Sequence, residues 1–202
     1  KIVCIANTDS KKYINSNNIK FTGNPIRKSI NKIDVNISRK KMKLDENKFT
    51  LFFMGGSQGS KPINEHLLLH YKFYLEQNCQ IIWQCGSNSY EKINAVIQHP
   101  DIHLKSFINK IDLAYSSASI VICRSGAISL AELTACGKAM VLIPFPQAAG
   151  NHQEHNALSL ETKNAAKVVL QNKLKSGLLE KIIMELKNNP EKIVELERCS
   201  ER

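Results

Sequence analysis

The sequence predicts an α/β protein, a Rossmann-like parallel sheet with helices on both faces, and three features carry that expectation. From Phe49 onward, short apolar runs of strand length alternate with helical stretches. The runs FTLFFM (49–54), QIIWQ (80–84), SIVIC (119–123) and MVLIP (140–144) are too uniformly apolar for strands with one face in water. Glycine and serine gather where strand hands over to helix, at 55–60, 86–89 and 125–126.

Taken in order, KIVCIA (1–6) reads as a short buried strand and Ile19 to Phe21 as another, before Gly23-Asn24-Pro25 breaks the chain. Residues 29–48 are polar, Lys- and Asn-rich and weakly periodic, which suits an interdomain linker. A strand at 49–54 then leads through Gly55-Gly56-Ser57-Gln58-Gly59-Ser60 into a helix from about Pro62, with Leu67, Leu68, Tyr71 and Leu75 on its apolar side. Asn64 falls in the first turn, where a helix-start residue bonding its own backbone is one reading. His66 and His70 lie one turn apart, a spacing that can hold a metal, but without a third ligand nearby in sequence they read as a solvated helix face. The strand 80–84 buries Trp83 and ends at Cys85-Gly86, and a helix from Tyr90 to Gln98 follows. Residues 102–107 form the next strand, with Ile108 at its carboxyl end and Asn109 placed to cap the helix through Ala114.

The strand 120–123, the turn at Ser125-Gly126, the helix 127–136, the stop at Gly137 and the strand 140–144 make the centre of the sequence. Asn151 is placed to cap a helix through Leu160, in which His152 and His155 are spaced for a metal but are read otherwise below. A last strand is expected at 165–170. Ser176 and Pro190 introduce two amphipathic helices, the first with the stripe Leu178, Leu179, Ile182, Ile183 and Leu186.

The 202 residues carry a net charge of +10, of which residues 1–50 contribute +8. The run Arg39 to Lys43 reads as a solvated linker, with a nucleic-acid arm or attraction to an anionic membrane surface as the alternatives. Six cysteines show no CxxC and no regular spacing, and several sit in apolar runs, so buried reduced thiols in a cytoplasmic protein are expected. No apolar run approaches the ~20 residues of a spanning helix. A first residue that is not Met, and an end inside the helical pattern LERCSER, read as a piece of a longer protein.

In a parallel α/β unit, the carboxyl ends of strands and the amino ends of helices face one crevice, and the unpaired helix N–H groups there favour an anion. Arg124, Ser125 and Gly126 stand at that place. Glu132, further along the same helix, is either a surface acid or one that reaches the crevice and accepts from two neighbouring sugar hydroxyls. The glycine loop at 55–60 lets backbone approach a ligand, but it lacks the GxGxxG spacing and the lysine of a P-loop, which argues against a dinucleotide or NTP-hydrolysing site.

Four stretches in order, GNPIR (23–27), GGSQGS (55–60) with Asn64, CRSGAISLAEL (123–133) and PFPQAAGNHQEHNA (144–157), closely resemble the sugar-nucleotide signature of the MurG glycosyltransferase family. The resemblance implies the two-domain GT-B architecture, with 1–28 the tail of the acceptor-side domain, 29–48 the linker and 49–202 the donor-binding domain. It implies that Arg27, Ser57, Ile108, Ala127, Ile128, Ser129, Leu130, Ala131, Glu132 and Gln153 bind substrate: Arg27 reaching the nucleotide, Ser57 the phosphates or sugar, Ile108 the uracil edge through its backbone, Glu132 the ribose and Gln153 the transferred sugar. His152 stands where some members have another glutamine, so its role is less secure.

The family reaction is inverting transfer of N-acetylglucosamine from UDP-N-acetylglucosamine to an undecaprenyl-diphosphate-linked muramyl-pentapeptide, by a peripheral protein on the cytoplasmic face of the bacterial inner membrane. The resemblance implies no cofactor and no required metal, because helix dipole and hydrogen bonds can serve the diphosphate, and no nucleic-acid partner is expected. It places the general base in an amino-terminal domain, leaving this chain to bind donor without transfer. Another UDP-sugar enzyme of the same architecture, such as an epimerase, and a noncatalytic sugar-nucleotide-binding protein are the alternatives.

Overall fold

A computed structural model describes residues 1–6, 11–12 and 14–201. Its centre is a six-stranded parallel sheet in the order β5-β4-β3-β6-β7-β8. The strands are β3 (Phe49–Met54), β4 (Cys79–Gln84), β5 (Ile102–Lys105), β6 (Ile120–Cys123), β7 (Met140–Leu142) and β8 (Lys167–Val168). Two short strands, β1 (Val3–Ile5) and β2 (Ile19–Phe21), pair parallel in a separate ribbon. The helices are α1 (Val35–Met42), α2 (Lys61–Glu76), α3 (Ser87–Asn94), α4 (Ile111–Ser117), α5 (Ala127–Ala135), α6 (His152–Glu161), α7 (Leu178–Asn188) and α8 (Pro190–Ser200).

The uniform apolarity of the central strands has a direct cause. Alternate residues of β3 enter two different core layers, Leu51 and Phe53 on one face, Phe52 and Met54 on the other. The first layer is closed by Leu67 and Tyr74 of α2 and by Leu179, Ile183 and Leu186 of α7. The second is closed by Ala114 and Tyr115 of α4 and Leu130 and Leu133 of α5. Each face therefore removes a full apolar side chain from water, worth roughly 1.5–3 kcal/mol apiece.

Residues 29–48 depart from the expected linker. Asp34 caps α1, its carboxylate accepting from the N–H groups of Asn36 (2.9 Å) and Ile37 (3.0 Å). Ile30 and Leu44, on either side of α1, insert into the core layer under α4. Arg39 is held by the carbonyls of Ser117 and Glu46 and the hydroxyl of Ser119. The segment is thus docked onto the sheet domain, and part of its positive charge is spent internally. Lys48 pairs with Asp101 (2.7 Å) and Lys32 with Glu201.

Several local expectations are corrected. Asn109 does not cap α4, whose N-cap is Lys110 with no side-chain bond. Asn151 takes a left-handed backbone and donates to Glu154 (2.8 Å) instead of accepting from the α6 amides. Gly177, not Ser176, stands at the N-cap of α7. Asn64 does not cap α2: it is buried, donates to the Cys85 carbonyl (2.8 Å) and accepts from Trp83 Nε1 (3.0 Å).

All six cysteines are free, four of them buried, with Cys4 exposed and Cys199 half-buried. Burial pushes the thiols of Cys79 and Cys123 up to about 11 and about 12, so neither ionises near neutrality. A thiol-reactive disulfide reagent at pH 8 should therefore label Cys4 and Cys199 rapidly and the four others only after denaturation, read by mass spectrometry of the labelled peptides.

A cleft at the carboxyl edge of the sheet

The carboxyl ends of β3 and β6 lie side by side, Met54 opposite Cys123, so the two loops that follow them share one cleft. The first is the glycine loop. Gly59 has φ of 78°, and a Cβ there would collide with the Cys85 carbonyl, while one on Gly86 (φ 84°) would strike the carbonyl of Gln58. The loops after β3 and β4 are thus packed backbone against backbone. A Gly59→Ala exchange should cost more than about 2 kcal/mol, from left-handed strain and the forced separation of these loops, measurable as a lowered urea midpoint.

The second loop opens α5. Its N-cap, Gly126, brings no side chain to the helix, so the amides of Ala127, Ile128 and Ser129 are left for whatever occupies the cleft. Arg124, which the sequence places at this anion site, is used differently. Its guanidinium is buried and donates to the carbonyls of Ile143 and Pro144 (both 3.0 Å), to Ser60 Oγ (2.8 Å) and to Gln171 Oε1 (2.6 Å). It sits 5.4 Å over the Phe145 ring, and burial pushes its pKa down to about 10. It remains a cation near neutrality, and from the loop after β6 it ties together the loops after β3, β7 and β8.

Arg27, Ser57, Ile108, Ile128, Ser129 and Glu132 all line one cavity of about 580 Å³, with Met54, Gln84, Phe107 and Tyr115 among its other walls. Its volume falls in the ordinary range of small-molecule and cofactor pockets. Ala127, Leu130 and Ala131 instead line a neighbouring cavity of about 550 Å³ with Phe21, Asn24 and Asn156. Asn24 Nδ2 donates to the Ala127 carbonyl (3.4 Å), which joins the amino-terminal segment to this rim.

Three expected contacts are modified by what surrounds them. Glu132 is 3% exposed and already engaged. Arg27 Nε donates to its Oε1 (2.8 Å), Arg27 Nη2 to Oε2 (3.0 Å) and Tyr115 OH to Oε2 (3.1 Å). A carboxylate offers about four acceptor positions, so one remains, on Oε1, and a second sugar hydroxyl requires Tyr115 or Arg27 to move. Pairing with Glu132 raises the Arg27 pKa, and among the described residues its Nη1 has no partner.

The Ile108 N–H, expected at a uracil edge, instead donates to Gln84 Oε1 (2.9 Å), while Gln84 Nε2 donates to the Gly56 carbonyl (3.0 Å). Gln153 lines neither cavity: its Oε1 accepts from the Phe145 N–H (3.1 Å) and its carbonyl from Ser125 Oγ (2.7 Å). The Ser125 hydroxyl is therefore also spent, leaving Ser57 and Ser129 as the serine hydroxyls that line the cavity.

Residues 50–202 match the family model described as "Glycosyltransferase family 28 C-terminal domain". The chain belongs to glycosyltransferase family 28. Two curated relatives carry the name UDP-N-acetylglucosamine--N-acetylmuramyl-(pentapeptide) pyrophosphoryl-undecaprenol N-acetylglucosamine transferase. That of Flavobacterium psychrophilum is 36% identical over 86% of this chain and 48% of its own length. That of Thermodesulfovibrio yellowstonii is 36% identical over 98% of this chain and 55% of its own. The chain thus spans about half the length of the curated relatives it matches. Acinetobacter baumannii MurG superposes with a TM-score of 0.70 at 24% identity, covering 100% of this chain and 55% of that one. The kitacinnamycin glycotransferase superposes at 0.69 and 16% identity, over 96% of this chain and 47% of its own. These likenesses establish a GT-B fold for this family 28 domain, as the sequence motifs led us to expect.

Tyr115 and Gln84 are the cleft residues that sequence reasoning missed. Gln84 was discoverable, as a polar residue closing an apolar strand beside a glycine loop. Tyr115, inside the apolar pattern of α4, gave no signal.

Proposed function

We propose that this chain is the donor-binding half of an enzyme that transfers N-acetylglucosamine from UDP-N-acetylglucosamine to the lipid-linked muramyl-pentapeptide of peptidoglycan synthesis. One observation carries the reading: the unfilled amides at the start of α5, Ser57 in the glycine loop and the buried carboxylate of Glu132 line or border a single nucleotide-sized cavity. The curated relatives carry the name of that transferase, over about half their length.

In the proposed cycle the diphosphate rests at the α5 amino terminus, where the helix dipole and the Ala127, Ile128 and Ser129 amides meet the negative charge that grows as the glycosidic bond breaks. Ser57 and Arg27 Nη1 add donors on the opposite wall. Glu132 takes a ribose hydroxyl on Oε1, and the Ile108 carbonyl with the Gln84 amide reads the base. Glu132 is the one carboxylate among the cavity-lining residues and is tied by Arg27 and Tyr115, so the base that deprotonates the acceptor is assigned to the acceptor-side half. No helix among the described residues is long and apolar enough to cross a membrane. Work on a lipid-linked acceptor would place the whole protein peripherally, at the cytoplasmic face of the membrane.

The test is a chimera joining this chain to the acceptor-side half of the Thermodesulfovibrio yellowstonii relative, assayed with UDP-N-acetylglucosamine and a short-chain lipid-linked muramyl-pentapeptide. Formation of the disaccharide product that stops on Glu132→Ala supports the reading. Donor binding by the folded chimera without transfer would make this half a noncatalytic sugar-nucleotide binder.

A further inference from the structure

We propose that His66 and His70 of α2 and Glu180 of α7 form a site for a divalent transition-metal ion of the zinc type, a staple between two helices on the far side of the sheet from the donor cleft. The two histidines are not the solvated face that the sequence suggests. His66 is buried, 4% exposed, and His70 is about one-third exposed. Their rings stack at 4.5 Å, and one ligand atom from each, with a Glu180 oxygen, lie within 4.8 Å of one another. Two histidines at i and i+4 on a helix with a carboxylate facing them make a recurrent zinc donor set.

The hydrogen bonds around His66 fix how it presents itself. His66 Nδ1 lies 3.1 Å from the Leu174 carbonyl, which can only accept, so Nδ1 carries the proton. With the proton on Nδ1, Nε2 accepts from Tyr74 OH at 3.2 Å. Glu180 Oε1 lies 3.8 Å from Nε2, and an ion bound between them takes the single Nε2 lone pair from the Tyr74 hydroxyl, which then turns away. A backbone carbonyl holding the distal nitrogen of a metal-bound histidine is the usual outer-shell arrangement.

Glu180 supplies the second, independent observation. It is 8% exposed, and neither of its oxygens has an aligned hydrogen-bond donor among the described residues, although Oε1 lies 2.8 Å from His70 Nδ1. A buried carboxylate left in that state is costly unless a cation completes it. Donor atoms of a tetrahedral zinc stand about 3.3 Å apart at bond lengths near 2.0–2.2 Å, so separations of up to 4.8 Å must close by at most about 1.5 Å, shared between the two side chains of a pair. The partial exposure of His70 gives the ion an entry and leaves a position for water. None of the three side chains lines the donor cleft, and Leu67, Tyr74, Leu174 and Leu179 around them belong to the other core layer.

The test uses the 202-residue chain freed of metal with a chelator, titrated with Co²⁺ and then with Zn²⁺. The expected result is one Co²⁺ per chain, with the visible ligand-field absorption of a tetrahedral centre and no thiolate charge-transfer band. Zn²⁺ at about a hundred times its Kd should raise Tm by roughly 5–10 °C. Loss of one ligand, in His70→Ala or Glu180→Gln, should weaken Co²⁺ binding more than about 100-fold, with native near-ultraviolet dichroism confirming that the variant is folded. His70→Ala decides the matter should Glu180→Gln fail to fold. Absence of stoichiometric binding overturns the proposal and leaves an ordinary His70–Glu180 ion pair. So does binding that survives in His70→Ala and disappears in a Cys4→Ser/Cys199→Ser chain.

Discussion

Glu132→Ala should weaken UDP binding by about 30- to 1000-fold, read by calorimetric titration of the folded chain. The estimate follows from the geometry of one side chain. A hydrogen bond to a charged acceptor is worth roughly 1.5–3 kcal/mol when its partner is otherwise left unpaired, and Glu132 both offers the open position on Oε1 and fixes Arg27 and Tyr115. Losing the direct contact and the placement of the arginine together is worth about 2–4 kcal/mol. Stability should fall less. Arg27 is half exposed and recovers water, so the main folding cost is the buried Tyr115 hydroxyl, at roughly 1–3 kcal/mol. Glu132→Gln, which keeps an acceptor but loses charge, should fall between wild type and Glu132→Ala.

Arg124→Ala should act in the opposite order, on folding first. Four acceptors from three separate loops converge on this guanidinium, and removing it strands the carbonyls of Ile143 and Pro144 with Ser60 and Gln171 in a buried site. Hydrogen bonds to charged groups make the loss at least about 3 kcal/mol. In a domain of this size that lowers Tm by roughly 6–12 °C, measurable by calorimetry. Arg124→Lys should recover only part of it, because an ammonium lacks the planar fork that serves Ile143 and Gln171 at once. An Arg124→Ala chain with unchanged Tm would mean that the loop contacts around the cleft are not what holds it open.

The sheet was legible because strands buried on both faces must be apolar throughout, and FTLFFM, QIIWQ and SIVIC have little other use. The crevice was legible for the same topological reason, since parallel strands send their following loops to one edge, while Ser57, Ile108 and Ser129, which line one cavity there, were pointed to by the family resemblance. What sequence could not give was the competition for each polar group. Nothing in the pattern says that Ile108 N–H is taken by Gln84, that Gln153 braces Phe145, or that Arg27 and Tyr115 share Glu132 across 105 and 17 positions of sequence, respectively. The docked segment at 29–48 was missed because its two anchors, Ile30 and Leu44, are isolated in a polar run. Glu180 was passed over for a related reason, since an acid in the first turn of α7 looks like routine dipole compensation until α2 is placed beside it.

The central claim, that this chain holds a uridine diphosphate sugar between the glycine loop and the start of α5, is tested most directly by amide chemical-shift mapping during titration with UDP-N-acetylglucosamine. The account predicts saturable shifts in Gly55 to Ser60, Ile108 and Ala127 to Ser129, with Leu67 and Leu179 on the far side of the sheet unmoved. Saturable shifts confined to other surfaces, or none in a folded chain at millimolar ligand, would contradict it.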